Sequence, residues 1–292
     1  GVAEDKEEAV KWFHLAADQG HAGAQLRVDR KVVLAAIKEN GRVLKDVSDE
    51  LRADRKFMLA AIQQNSDALE YASEELRADR EIVMPVVKKD WMAFQYASET
   101  LRADREFVLT GIKECGLNLE HASKELRADR EIVIAAVQNH YSAFRYASKK
   151  LKSDITLMAS LMAIPLFEHR CRDIEKVNGE NYEEVLTAVR INGGVLKYAS
   201  KKLRGDREIV LAAVEKDSRP IESWSKYDRT PLEYASDDLL ADREIVLAAV
   251  QKNGEALEFA SEELRADRAI VLAAIQSGGS VLSQASDELK AD

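Results

Sequence analysis

Cysteine is nearly missing from this sequence: Cys115 and Cys171 are the whole supply in 292 residues. Two thiols make no disulfide framework, and both are expected to be ordinary reduced thiols. Proline is limited to 4 residues and aromatic residues to 6%, a composition that suits short helices rich in Ala, Leu and Val. The longest apolar run, about 157–167, is broken by Ser160 and Pro165. That falls short of the roughly 20 apolar residues that span a bilayer. A nucleic-acid binder usually shows a basic stripe, and none stands out here. The net charge of −9 argues against DNA or an anionic membrane as partner. The start, Gly1-Val2-Ala3-Glu4-Asp5, is acidic and lacks the apolar core of a secretory signal.

Catalytic and cofactor motifs are missing too. There is no Gly-x-x-x-x-Gly-Lys-Ser/Thr, no Gly-x-Gly-x-x-Gly and no Gly-x-Ser-x-Gly. His14, His21, His121, His140 and His169 form no His-Glu-x-x-His, and the nearest thing to a ligand pair, His169-Arg170-Cys171, lacks two further ligands. The glycines are expected at helix ends, and the repeated Ala-Ser serines have no paired histidine. No enzyme, cofactor or metal is expected.

What is present is a beat. With 46% hydrophobic and 33% charged residues, the chain has ample material for a packed core. The word Leu-Arg-Ala-Asp-Arg-Glu-Ile-Val at 76–83 returns, with drift, along the chain. Its Asp stands at 29, 54, 79, 104, 129 and 154, always 25 residues apart, and then the spacing slips: Asn181, Asp206, Asp242, Asp267, Asp292. A fixed period of this size indicates an all-α solenoid, here of about ten two-helix units over 29–292.

The unit Asp54–Ala78 shows the logic. Asp54 suits an N-cap. Phe57, Met58, Ala61 and Ile62 form one apolar stripe, and Ala68, Leu69, Ala72 and Leu76 a second. The first helix stops near Asn65. In other units the stop is Asn40-Gly41, Cys115-Gly116 or Asn253-Gly254, where glycine is expected in the left-handed conformation. Ser73 is read as the cap of a separate final turn carrying Glu74 and Glu75. The recurring Asp and Arg are read as a structural ladder, each Asp lying near the Arg of the next unit.

These words, Asp-Arg-Glu-Ile-Val-Leu-Ala-Ala-Val and Leu-Glu-Tyr-Ala-Ser-Glu-Glu-Leu-Arg-Ala-Asp, closely resemble the family catalogued as domain of unknown function 4116. The resemblance implies tandem repeats and carries no agreed activity. Residues 1–28 follow another pattern: Ala9, Trp12, Phe13 and Ala16 share a helical face, and Gln19-Gly20 ends it. They resemble the second half of a Sel1-like repeat, a tetratricopeptide-type αα-hairpin, and are expected to cap the solenoid or to be the stump of a longer array upstream.

Three units depart from the type. Pro85 stands inside a first helix, where a kink is expected. The unit 154–180 has lost the Tyr-Ala-Ser and Leu-Arg-Ala-Asp words, leaving Leu157, Leu161, Leu166 and Phe167 as its core. At 218–230 a two-residue turn becomes 13 residues, and insertions in solenoids map to loops, often on a binding face. Trp91 and Tyr141 occupy the turn position held by Gly41 and Gly116. Together with Arg219, Trp224 and Tyr227 of the insertion, they are the candidate partner-binding residues, since exposed aromatics are enriched in interface hot spots.

The reading is a non-enzymatic scaffold whose partners are proteins, in the cytoplasm or an organelle. A runner-up is an accessory structural subunit of a large complex, peripheral to a plastid membrane, given the abundance of the family in algae. A third is an enzyme or effector built on the irregular unit.

Overall fold

The computed structural model describes residues 30–164, 167, 177–217 and 230–278. It is an all-α solenoid, and the described residues contain no strand beyond one isolated bridge, Asp154 to Asn178. The chain forms two compact units, 1–146 and 147–292. The expected cap at 1–28, the insertion at 218–229, Leu166 and the last residues from 279 lie outside the described residues.

Each regular repeat has three helical pieces instead of two. The type unit runs as an α-helix Arg55–Gln64, a 3-10 helix Ser66–Tyr71 and a short α-helix Glu74–Arg77. In this unit a polar side chain opens each piece. Asp54 is extended and its carboxylate accepts from the Phe57 N–H at 2.9 Å. Asn65 leaves the helix in extended conformation, and its side-chain oxygen accepts from the Asp67 N–H at 3.0 Å, opening the 3-10 helix. Ser73 Oγ accepts from the Leu76 N–H at 3.4 Å, so the serine does cap a separate turn. Phe57, Met58, Ala61, Ile62, Ala68, Leu69, Ala72 and Leu76 are all buried, as the two stripes require.

The glycines have another purpose than the one expected. Among the described glycines only Gly278 has positive φ. Gly116 and Gly254 are needed for space: a Cβ there would lie 2.2 Å from the carbonyl oxygen of Ala136 or Ala274, in the first helix of the following repeat. Nor are all glycines at helix ends. Gly111 sits inside Arg105–Glu114, where a Cβ would meet the Phe94 ring at 2.5 Å. Phe94 stacks on Phe107, with ring centroids 5.2 Å apart.

In the first compact unit, repeats are linked through the main chain. The N–H of Ser73, Ser98 and Ser123 donates to the carbonyl of Arg52, Arg77 and Arg102 at 3.2, 2.9 and 2.9 Å. The helix Arg80–Lys89 continues through Pro85 over the same ten residues as its neighbours, with the ring exposed. Its cost is one missing donor.

In the second compact unit the irregular repeat keeps its cap. Asp154 accepts from the N–H groups of Thr156 and Leu157 at 2.8 and 3.0 Å. Leu157, Leu161 and Phe167 are fully buried as expected, and Ile155, Met158 and Ala159 join them. Ile155 and Ala159 share a core with Val185 and Val189 of the helix Tyr182–Ile191, which Asn181 caps in place of the usual aspartate. The main-chain links also persist, from Asn178 N–H to the Ser153 carbonyl at 2.9 Å and from Ser200 N–H to the Gly179 carbonyl at 2.8 Å.

Candidate functional site

The charge that recurs along the chain is carried by the Arg-x-Asp-Arg-Glu word, and its geometry is periodic. The ladder exists, but its direction is the reverse of the one expected: the arginine of each repeat reaches the cap aspartate of the next. Arg30 meets Asp54 at 2.6 Å, Arg80 meets Asp104 at 3.6 Å, Arg105 meets Asp129 at 3.5 Å, and Arg55 pairs with Asp79. In the second compact unit Arg207 meets Asp242 at 2.9 Å and Arg243 meets Asp267 at 3.1 Å. The hydrogen bond from Arg55 holds the Asp79 carboxyl below the usual carboxylate range. The Phe57 N–H does the same for Asp54. Exposed pairs of this kind contribute about 0–1 kcal/mol, against about 0.5–2 kcal/mol for an N-cap. The aspartates therefore stabilise the fold mainly as caps.

The other arginine of the word recurs too. Arg52, Arg77, Arg102, Arg127, Arg204 and Arg265 each place Nε in a buried position with no hydrogen-bond partner. A feature found in six repeats belongs to the frame, not to a single site. Among the described residues no group of three or more His, Cys, Asp or Glu is placed to hold a metal ion. No described helix is long and apolar enough to cross a membrane.

The residues that break the pattern separate into three fates. Trp91 opens the 3-10 helix Trp91–Tyr96 and is 42% exposed, and the following Met92 is 53% exposed. The backbone under them is fixed, because the Asp90 carboxylate accepts from the Met92 N–H at 3.0 Å. Tyr141 instead is half-buried, its ring stacked on His140 at 5.1 Å between centroids. The structure thus opens one of the two turn aromatics to solvent and packs the other on its own repeat. Arg219, Trp224 and Tyr227 lie outside the described residues. Thr230, counted with the insertion from sequence, belongs to the frame: it is buried and its Oγ1 accepts from the Leu232 N–H.

Met92 was missed from sequence. Its register position holds Arg42, Asp67, Ser142 or Glu255 in other repeats but also the half-buried Leu117, so what sets Met92 apart is its exposure, which sequence does not give.

The chain is, by its architecture, a tandem helical-repeat protein. The family model described as Domain of unknown function (DUF4116) matches residues 29–77, 54–102, 79–127, 104–152, 181–240, 225–265 and 242–290. These windows cover well over half of the chain, which belongs to that family. Most windows take in two successive repeats, and the internal stretch they leave out, 153–180, holds the irregular one. No curated protein and no solved structure matches the chain.

Proposed function

We propose that the chain is a non-enzymatic scaffold that binds proteins. The observation carrying this reading is the exposed Trp91–Met92 pair. It stands at a turn where the stack needs no side chain, on a backbone that polar caps already hold. An aromatic and a methionine held out on a rigid frame match the residue types enriched at interface centres. The charged words that resemble an acid–base site serve as caps and ion pairs in six of the repeats, which leaves them little role in a single reaction. The insertion at 218–229, with Arg219, Trp224 and Tyr227, is proposed as a separate partner-binding element in the second compact unit. The Sel1-like segment at 1–28 is read as a helical cap on the array.

The test uses the repeat's own vocabulary. Trp91→Ser with Met92→Asp installs the residues found at Ser66 and Asp67. A second variant replaces residues 218–229 by one glycine and keeps Thr230. Affinity capture from native extract is expected to retain discrete proteins on the parent and to lose them in one variant or both, with helicity and melting temperature preserved. Equal capture by all three would remove these surfaces from the reading. Turnover in a broad substrate screen, with no proteins captured, would favour an enzyme.

A further inference from the structure

The turn after each serine is acidic almost throughout: Asp49-Glu50, Glu74-Glu75, Asp237-Asp238, Glu262-Glu263. The fold favours acids there, since a helix N-terminus carries partial positive charge. The local N–H of Glu75 and the Ser73 hydroxyl hold the Glu75 carboxyl low, and the same pair of groups acts at Glu125 with Ser123. Twice, however, the register is reversed. Ser148 is followed by Lys149-Lys150 and Ser200 by Lys201-Lys202. The frame around both is standard. Ser148 Oγ accepts from the Leu151 N–H at 3.3 Å, Ser200 Oγ from the Leu203 N–H at 3.4 Å, and both leucines are buried. All four lysines are exposed, and none has an ion-pair partner among the described residues. These are cations placed where the local field disfavours them, and such local violations cluster at functional sites.

The irregular repeat brings the two pairs together. Between them the chain crosses by two backbone hydrogen bonds, Asn178 N–H to the Ser153 carbonyl and Ser200 N–H to the Gly179 carbonyl. In regular repeats the corresponding links are separated by a short helix, as Ser73 and Arg77 are by Glu74–Arg77. Here Asn178 and Gly179 are adjacent in sequence. At about 4.8 Å per hydrogen-bonded step, the two lysine turns stand about 10 Å apart. An extended peptide covers that span in about three residues. Among the described connecting residues 177–180, Glu180 is exposed and is the one carboxylate, against four lysines.

We infer that Lys149, Lys150, Lys201 and Lys202 form a docking surface for an acidic, extended segment of a partner protein. The inference rests on the protein-binding reading above and names the chemistry of one partner segment. The remaining charge of the chain selects a peptide over other polyanions. With −9 net, the molecule as a whole repels an extended anionic membrane or nucleic acid. A short segment senses mainly the charges within a Debye length of about 8–10 Å.

Fluorescence anisotropy with a labelled Glu-Glu-Gly repeat peptide, and its Gln-Gln-Gly counterpart, tests this on the full chain. The parent should prefer the acidic peptide, and added salt should weaken binding. The fourfold variant Lys149→Glu, Lys150→Glu, Lys201→Glu, Lys202→Glu should bind at least about tenfold more weakly, from the summed loss of four exposed pairs. It should melt no lower than the parent, because it restores the acids of the other repeats. A fourfold Lys→Gln set guards against repulsion as the sole cause and should shift affinity in the same direction. Equal affinity in either variant, no preference over the neutral peptide, or preferential binding to phosphatidylserine vesicles or polyuridylate would overturn the inference. If the acidic peptide fails but native capture still depends on Trp91, Met92 or 218–229, the scaffold reading stands and this inference alone falls.

Discussion

The repeat that begins at Asp79 and the one that begins at Asp154 share almost no words, yet they share a plan. Asp79 accepts from the N–H groups of Glu81 and Ile82, and Asp154 from those of Thr156 and Leu157. The first builds an amphipathic helix with buried Ile82, Val83, Val86 and Val87 on one face. The second, Ile155–Met162, buries residues nearly all round, from Ile155 to Leu161. The cap and an apolar helix therefore suffice to hold a place in the stack, and the Leu-Arg-Ala-Asp word is dispensable there.

The sharpest way to break the comparison is to empty each core in turn. Leu157→Ala in the irregular repeat and Leu76→Ala in the regular one should each cost about 2–5 kcal/mol in urea unfolding. Leu126, half-buried instead of buried, should cost less than either. Equal losses at Leu76 and Leu126 would mean that burial does not rank these sites.

A smaller effect is expected where regular repeats have adapted to one another. Gly111→Ala should cost about 1–3 kcal/mol by overpacking against Phe94. Phe94→Leu, the residue found at Leu69 and Leu119, should recover part of it. A double-mutant cycle with no coupling would dissociate the two positions.

Next come the caps. Asp79→Ala should destabilise by about 0.5–2 kcal/mol, and Arg55→Ala by under about 1 kcal/mol. The Asp79 carboxyl titrates lower in the folded chain, chiefly through its Arg55 hydrogen bond. Its contribution is therefore complete above the unfolded value of about 3.9 and is lost as pH falls through the folded one. Arg55→Ala should narrow that acid-side window, as read by melting temperature against pH.

The smallest effect concerns His121, which stands where Tyr71, Tyr96 and Tyr146 stand in other repeats. Burial pushes its imidazole below the ordinary value, aided by Arg102 and opposed by Glu120. The unfolded chain then binds the proton more readily, so stability falls as pH drops through about 6.5. His121→Tyr should flatten that slope, and an unchanged slope would clear the histidine.

Much of the frame was legible in the residues. Asp54 and Ser73 announced their caps, and the buried side of Phe57, Met58, Ala61 and Ile62 followed from spacing. The core of the irregular repeat was readable from Leu157, Leu161 and Phe167 alone. The 3-10 piece was not, because six residues from Ser66 to Tyr71 do not separate a period of three from one of 3.6. Gly116 misled for a related reason: a glycine after a helix looks alike whether it supplies a left-handed turn or clears room for the Ala136 carbonyl. Trp91 and Tyr141, identical in register, differ in exposure because Tyr141 has His140 to stack on. The lysine pairs escaped notice as a patch since Lys150 and Lys201 are far apart in sequence, and only the main-chain links bring their turns together.

Those links have a further consequence. A contact from the N–H of Ser98 to the carbonyl of Arg77 asks nothing of either side chain. Any repeat that presents one amide and one carbonyl at the right edge can be joined to its neighbours, as Asn178 and Gly179 are. As far as these links go, such a chain can lengthen by duplication or swap one module for another, and only packing fits such as Gly111 against Phe94 need matching on the adjoining module. Side chains at the turns are then released to diverge toward whatever each module is required to recognise.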